Sequence, residues 1–263
     1  MDKPTFQDAT AQALAVRDAM ANVVARYTVA LVPAKGPTMG SGVLVCDGAN
    51  LFVATAKHVA DALDLDNVRC VPKTRSPVRI LEHRDERRRI LRRPDLASAV
   101  AFRLPVAEAL KDATSDVALL WLNARPVEFD SMDFYPLERA RSTRLPHDRV
   151  WVCGFPFDLT LVHRPTGQVA VFSRTLWGKV ATTDRENFDP DRQLLITYEA
   201  DGHRVMDGHG MSGGGVWMPP QPGADVWNPD DQILIGLQIG CFEKTPGRPL
   251  VAARIERVTR LLA

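Results

Sequence analysis

The sequence predicts an all-β protein made of two halves that each close into a barrel, with one helix at each end of the chain. From Tyr27 onward, short apolar runs alternate with Gly, Pro and Asn, which is the rhythm of strands and turns. Apolar spacing of three and four residues, typical of helices, occurs only near the two ends. Two strand-rich halves with helices confined to the ends are typical of paired barrels.

The first helix is predicted from Thr5 to about Arg26, within an N-terminal segment 1–26. Its apolar residues lie on one stripe, so packing on the body of the protein is favoured over binding a partner. The first barrel is predicted over 27–125, with apolar runs at 29–32, 42–45, 51–55 and 117–122 and a hairpin turn at Asp47–Asn50. The charge-dense stretch Asp85–Arg93 is interpreted as a solvated hairpin or loop, with a basic patch as the alternative, because acidic residues are interleaved.

Between about Arg125 and His147 the apolar rhythm lapses, and three prolines interrupt the chain. This pattern predicts a linker over 126–146. The second barrel is predicted over 147–263, with runs at 149–154, 168–172, 194–198, 216–218 and 233–237. It ends in a helix over about 253–262, where Ile255, Val258, Leu261 and Leu262 share one face.

Composition excludes several classes of protein. The chain has 263 residues and a formal net charge of +1, which gives no reason to expect a nucleic-acid or membrane partner. No apolar run approaches the roughly 20 residues of a membrane span, and no signal peptide follows Met1, so a cytoplasmic location is expected.

The four cysteines form no C-x-x-C pair. Buried thiols without disulfides are therefore expected, and this spacing does not favour a metal site.

Chemistry is concentrated in the glycine-rich stretch 208–217, where Ser212 lies among five glycines. Glycines allow tight bends and bring successive N–H groups toward one point. An attacking serine needs such a segment, because its hydroxyl must be exposed beside donors for the oxyanion. Taken alone, the stretch is more typical of an ordinary turn.

A nucleophilic serine needs a base, and the base needs an orienting acid. His58 follows the apolar run at 51–55, and Asp116 directly precedes the run at 117–122. A carboxylate that leads into a buried strand is costly unless it is paired. Each residue alone has a plain structural reading, as a strand-end histidine and a turn aspartate.

Together, Thr55–Val59 (TAKHV), Ser115–Leu120 (SDVALL) and Gly210–Val216 (GMSGGGV) occur in the order His, Asp, Ser. In this order and local context the chain resembles the chymotrypsin-like serine peptidases of the trypsin fold. The resemblance covers roughly 27–262, and the two end helices are similar to the bacterial high-temperature-requirement branch, without its PDZ module. It implies two six-stranded antiparallel β-barrels, with a helix before and after them.

The resemblance implies a role for each matching residue. Ser212 is the nucleophile, His58 the general base and acid, and Asp116 the residue that orients His58. The N–H groups of Gly210 and Ser212 form the oxyanion hole. The resemblance implies that no cofactor or metal is needed. The residues implied for the wall of the substrate pocket are Met206, Asp207, His209, Gln238 and Gly240. Asp207 in the pocket would select Arg or Lys before the scissile bond, Met206 would select apolar residues, and Asp207 could equally cap its loop.

The chain departs from the family pattern at Met211. Secreted trypsins place an aspartate there, which pairs with a new N-terminal ammonium after cleavage. Met211 cannot form that ion pair, so the loop must be ordered by packing, by substrate or by an activating protein partner. We therefore expect modest constitutive activity, or activity gained on binding, with Met1 retained.

The function expected is that of a serine endopeptidase that hydrolyses protein or peptide substrates through an acyl-enzyme. The alternative is a binding or scaffold protein that keeps the fold without catalysis. An esterase of the α/β-hydrolase type fits poorly, because its triad order is Ser, Asp, His and its strands alternate with helices.

Overall fold

The structure of the protein is a computed structural model that describes residues 18–33, 40–72, 102–129, 132–140, 149–157, 161–163, 168–170, 173–183, 185–198, 208–219, 228–242 and 248–263. Within these stretches, no helix combines the length and apolar character that a membrane crossing requires. The charge-dense stretch Asp85–Arg93 lies outside them, so its interpretation stays a prediction.

The first half forms an eight-stranded sheet. Its strands are β1 Thr28–Val32, β2 Gly40–Asp47, β3 Asn50–Ala56, β4 Arg69–Pro72, β5 Phe102–Arg103, β6 Val106–Asp112, β7 Val117–Leu122 and β8 Tyr135–Pro136. The order across the sheet is β5-β4-β1-β2-β3-β7-β6, with neighbours antiparallel, and β8 pairs in parallel with β2. The predicted hairpin turn is confirmed, because Asp47 pairs with Asn50 across Gly48.

The second half contains a closed six-stranded barrel. The strands that follow β8 are β9 Arg149–Gly154, β10 Leu161–His163, β11 Gln168–Ala170, β12 Arg174–Ala181, β13 Gln193–Tyr198, β14 Gly215–Met218, β15 Ile233–Cys241 and β16 Leu250–Arg254. The barrel closes in the order β12-β13-β16-β15-β14-β9, and β10 and β11 form a separate two-stranded hairpin. The predicted six-stranded barrel is thus found here, while the described first half is a sheet of eight strands.

Strand alternation explains why the central strands are apolar on both faces. Successive side chains of a strand point to opposite sides. In β2, Leu44 faces a core within the first half, while Val43 and Val45 face a second core shared by the two halves. In β9, Val152 faces the inside of the closed barrel and Trp151 faces the shared core. The shared core therefore lies between the halves and holds them together.

The described residues include three α-helices: α1 over 18–25, α2 Lys57–Ala62 and α3 Ile255–Thr259, which continues into a 3₁₀ turn at Arg260–Leu262. The helices expected near both ends are present, with α1 seen only from residue 18 onward. Met20 and Val24 of α1 and Val258 of α3 are buried in the shared core. Packing on the body of the protein is therefore confirmed for the described part of the N-terminal helix.

The predicted linker 126–146 carries packed structure where it is described. It contains 3₁₀ turns at Val127–Phe129 and Leu137–Arg139 in addition to β8. Tyr135 of β8 is buried, and its ring centroid lies 5.1 Å from that of Trp217 in β14. Tyr27 stacks on the same indole at 5.6 Å. The three rings fasten the first half to the strand that follows Ser212, although the domain boundaries themselves stay predictions.

Candidate active site

His58 is presented by the junction between β3 and α2. The helix begins at Lys57, directly after the last residue of β3, and the Lys57 N–H donates to the Asp116 carbonyl oxygen over 2.9 Å. This bond joins the start of α2 to the turn before β7. The His58 side chain is 51% exposed, so its ring is accessible from solvent.

Asp116 contacts His58 twice. Its Oδ2 lies 2.7 Å from the ring Nδ1, and its Oδ1 accepts the His58 backbone N–H at 3.0 Å. A carboxylate only accepts, so Nδ1 is the donor and Nε2 is left to face a substrate. Asp116 itself has a φ of 52°, in the left-handed region that non-glycine residues rarely adopt. Such strain persists where surrounding contacts hold it, and it is frequent at functional sites.

Ser212 lies in the turn 208–214, which we call the nucleophile turn. Its carbonyl oxygen accepts the Ser41 N–H of β2 at 2.7 Å, and the next residue, Gly213, donates to the Gln238 carbonyl of β15 at 2.7 Å. A Cβ on Gly213 would lie 2.0 Å from the Ser41 carbonyl oxygen and 2.3 Å from Thr55 Oγ1. The nucleophile turn therefore packs directly on the ends of β2 and β3, and β3 leads into His58.

The two predicted oxyanion donors are backbone N–H groups of the nucleophile turn. Among the described residues, the N–H groups of Gly210 and Ser212 donate to no acceptor. The carbonyl ends of their peptide groups are held elsewhere: His209 O accepts the Phe157 N–H at 2.8 Å, and Met211 O accepts the Gly214 N–H at 2.8 Å. Because a trans peptide is planar with C=O and N–H opposed, fixing each carbonyl also fixes the direction of each N–H.

The Ser212 hydroxyl and the His58 ring, both within the described residues, share no hydrogen bond. Such bonds are often long in enzymes without substrate and shorten in the complex. His58 and Asp116 are in direct contact, and the nucleophile turn packs against β2 and against β3, the strand that leads into His58.

Comparison with solved structures matches this architecture over nearly the whole chain. The serine endoprotease from Yersinia pestis superposes with a TM-score of 0.55 at 18% identity, over 99% of this chain and 66% of that one. The MamO protease domain from Magnetospirillum magneticum gives 0.52 at 15% identity, over 92% and 98% of the two chains. Neuropsin, a serine protease of mouse brain, gives 0.53 at 15% identity, over 90% and 92%.

The chain has the trypsin fold. The superpositions, with TM-scores of 0.52 to 0.55, show the fold alone. No protein-family model matches the sequence, and no curated protein matches it either.

Met211 is fully buried in this trypsin fold. Its side chain packs in the apolar interior of the closed barrel with residues such as Val150, Val152 and Val216. A thioether in that position makes no ion pair, so the nucleophile turn is held by packing and by hydrogen bonds of its backbone. Ordering of the loop by packing, by substrate or by a partner stays a prediction.

The predicted substrate pocket is described in part. Met206 and Asp207 lie outside the described residues, so the choice between a charged and an apolar pocket stays a prediction. Gln238 is buried, and its Nε2 donates to the Gly240 carbonyl at 2.9 Å. A Cβ on Gly240 would meet no atom within 4 Å, so this position borders open space. His209 is exposed on the nucleophile turn.

Sequence reasoning missed one residue of the site, Ser41. The predicted apolar run at 42–45 begins just after it. The structure gives Ser41 hydrogen bonds to the nucleophile turn, to β3 and to the chain after β9. A serine between two glycines inside an apolar strand is the signal that could have marked it.

Proposed function

We propose that the protein is a serine endopeptidase. Ser212 Oγ attacks the carbonyl carbon of a peptide bond while His58 Nε2 takes the hydroxyl proton. The resulting oxyanion lies at the N–H groups of Gly210 and Ser212. When the C–N bond breaks, His58 returns the proton to the leaving amine, and the acyl group stays on Ser212. Water then attacks the ester by the same steps and releases the acid.

The observation that carries the proposal is the double contact between Asp116 and His58. It selects the tautomer in which Nε2 is unprotonated, and it stabilises the imidazolium formed when Nε2 takes a proton. The backbone bond to Oδ1 prevents the carboxylate from rotating away. A structural histidine at a strand end does not need two bonds from one carboxylate whose backbone is in a rare conformation.

The unused N–H pair gives independent support. Preset donors act on the charge that develops in the transition state, and losing one costs about 10²–10³ in rate. Both N–H groups belong to peptides whose carbonyl ends are already held, so the donors need little reorganisation. The structural neighbours are described as proteases, in agreement with this assignment. A cytoplasmic location, and any activating protein partner, remain proposals from the sequence.

The test is hydrolysis of fluorescein-labelled casein by the full chain and three variants. We expect Ser212→Ala and His58→Ala to reduce the rate to background, because the residual catalysis of a broken triad is only about 10³–10⁴ over water. Ser173→Ala is the matched control, since Ser173 lies just before β12 and outside the site, and it should keep the full rate. Undiminished hydrolysis by Ser212→Ala would refute the proposal. A folded wild type with no hydrolysis would favour the binding or scaffold alternative.

A further inference from the structure

Ser41 occupies a fully buried position where the two halves of the molecule meet. It is the second residue of β2, and all of its polar groups are engaged with other segments. Its N–H donates to Ser212 O at 2.7 Å, and its carbonyl accepts from Thr55 Oγ1 at 2.7 Å. Its hydroxyl donates to Gly210 O at 2.8 Å and accepts the Phe155 N–H at 2.8 Å.

We propose that Ser41 is a positioning residue that holds the oxyanion donors in their catalytic orientation, an inference that rests on the proposed function. It touches no reacting atom. It acts through the two carbonyl oxygens it binds, those of Gly210 and Ser212, which belong to the residues that supply the oxyanion N–H groups.

The hydroxyl of Ser41 acts on the Gly210 donor from two sides. On one side it binds the Gly210 carbonyl, which fixes the peptide group directly after the donor. On the other side it binds the Phe155 N–H at the start of the short stretch 155–157. The last residue of that stretch, Phe157, donates to the carbonyl of the His209–Gly210 peptide, whose N–H is the donor itself. One hydroxyl thus connects both flanks of the Gly210 N–H.

The surroundings leave Ser41 little freedom. A Cβ on Gly154 would lie 2.9 Å from Ser41 Oγ, and a Cβ on Gly213 would lie 2.0 Å from Ser41 O. Glycine at both positions lets the backbone approach this close. Because Met211 offers no ion pair, these neutral hydrogen bonds do the ordering that a buried charge pair would otherwise do.

The test measures transition-state stabilisation separately from folding. The variants are Ser41→Ala, which removes the hydroxyl, and Ser41→Cys, which replaces it by a weaker donor. The matched control is Thr28→Val, since the Thr28 hydroxyl is also buried and also donates to a carbonyl, that of Val24. Each protein is titrated to completion with a fluorophosphonate probe, which counts competent sites. Hydrolysis of p-nitrophenyl acetate then gives kcat per labelled site and KM, and benzeneboronic acid serves as a tetrahedral analogue.

For Ser41→Ala we expect kcat per labelled site to fall about 10- to 10²-fold, less than the loss of a whole donor. KM should stay within about threefold, because the lost interaction is made in the transition state. Boronic acid affinity should weaken by a factor similar to kcat. Ser41→Cys should lie between Ala and wild type, and Thr28→Val should match wild type in all three quantities.

A purely structural role gives a different result. In that case Ser41→Ala lowers the melting temperature or the labelled fraction, while kcat per labelled site and boronic acid affinity stay at wild-type values, and the inference is overturned. If Ser41→Ala does not fold, the same comparison is made with Ser41→Cys. A wild type that neither labels nor hydrolyses the ester overturns the proposed function, and this inference with it.

Discussion

Gly213→Ala tests whether the fit of the nucleophile turn against β2 controls activity. Gly213 has a φ of 88°, and an added Cβ would lie 2.0 Å from Ser41 O and 2.3 Å from Thr55 Oγ1. Ordinary contact begins near 3.4 Å, so the turn or the strand must move by more than 1 Å. Displacements of about 1 Å at a reacting group can cost about 10²-fold in rate. We expect kcat/KM to fall by at least that factor.

Gly48→Ala is the control for backbone strain. Gly48 also has a positive φ, 57°, but a Cβ there would meet nothing within 4 Å. Both substitutions incur the left-handed penalty of roughly 1–2 kcal/mol, and only Gly213→Ala adds the steric displacement. For a chain of this size each kcal/mol lowers the melting temperature by about 2–4 °C.

The assay combines thermal melts with the rate of fluorophosphonate labelling. Gly48→Ala should melt a few degrees lower and label at the wild-type rate. Gly213→Ala should melt lower still and label far more slowly. Equal labelling rates for Gly213→Ala and wild type would show that the packing of the turn on β2 does not position Ser212.

Three further predictions concern the pocket, the helix that carries His58 and the thiols. Gly240→Val should leave the melting temperature almost unchanged, because the position borders open space. It should alter the residue preference in a peptide-library cleavage profile, and an unchanged profile would show that Gly240 does not line the pocket. Hydrogen bonds from Lys57 and Lys111 lower the pKa of Asp61 in the folded protein. The contribution of Asp61 to stability is therefore complete above its unfolded pKa of about 3.9, and it is lost as the pH falls through its folded pKa. The melting-temperature gap between wild type and Asp61→Asn should therefore close in acid, and a gap that persists below the folded pKa would contradict the pairing. Burial raises the pKa of the Cys70 thiol well above its usual value, so iodoacetamide should modify Cys70 only after unfolding. In the unfolded protein, intact mass should show four alkylated thiols. Fewer adducts would indicate a disulfide.

Much of the fold could be predicted because local patterns and packing agree. The run at 117–122 alternates between two cores, with Leu119 in the shared core and Leu120 in the core of the first half, so it was apolar enough to be found from sequence. The strands that the sequence did not predict are β4, β5, β6, β8, β10, β12 and β16, the last of which ends inside the predicted C-terminal helix. Strand β6 is mostly exposed or half-buried, and Val106–Asp112 includes Glu108 and Lys111, so it lacks a long apolar run.

The residues of the candidate site could be predicted where they lie within short sequence motifs. The side chains of Asp116 and His58 are in contact, as the resemblance implied, with Oδ2 of Asp116 2.7 Å from Nδ1 of His58. The role of Ser41 was not predictable from spacing, because its partners Gly210 and Phe155 are 169 and 114 residues away and meet it only when the two halves pack.

The site at which a fluorophosphonate probe reacts with the full chain tests directly whether Ser212 is the nucleophile. The wild type should gain one phosphonyl group, and peptide mapping should place it on Ser212. The sequencing of the same sample should show the N-terminus uncut, since Met211 requires no new ammonium. An adduct on any other residue, or no adduct on a folded protein, would contradict the account.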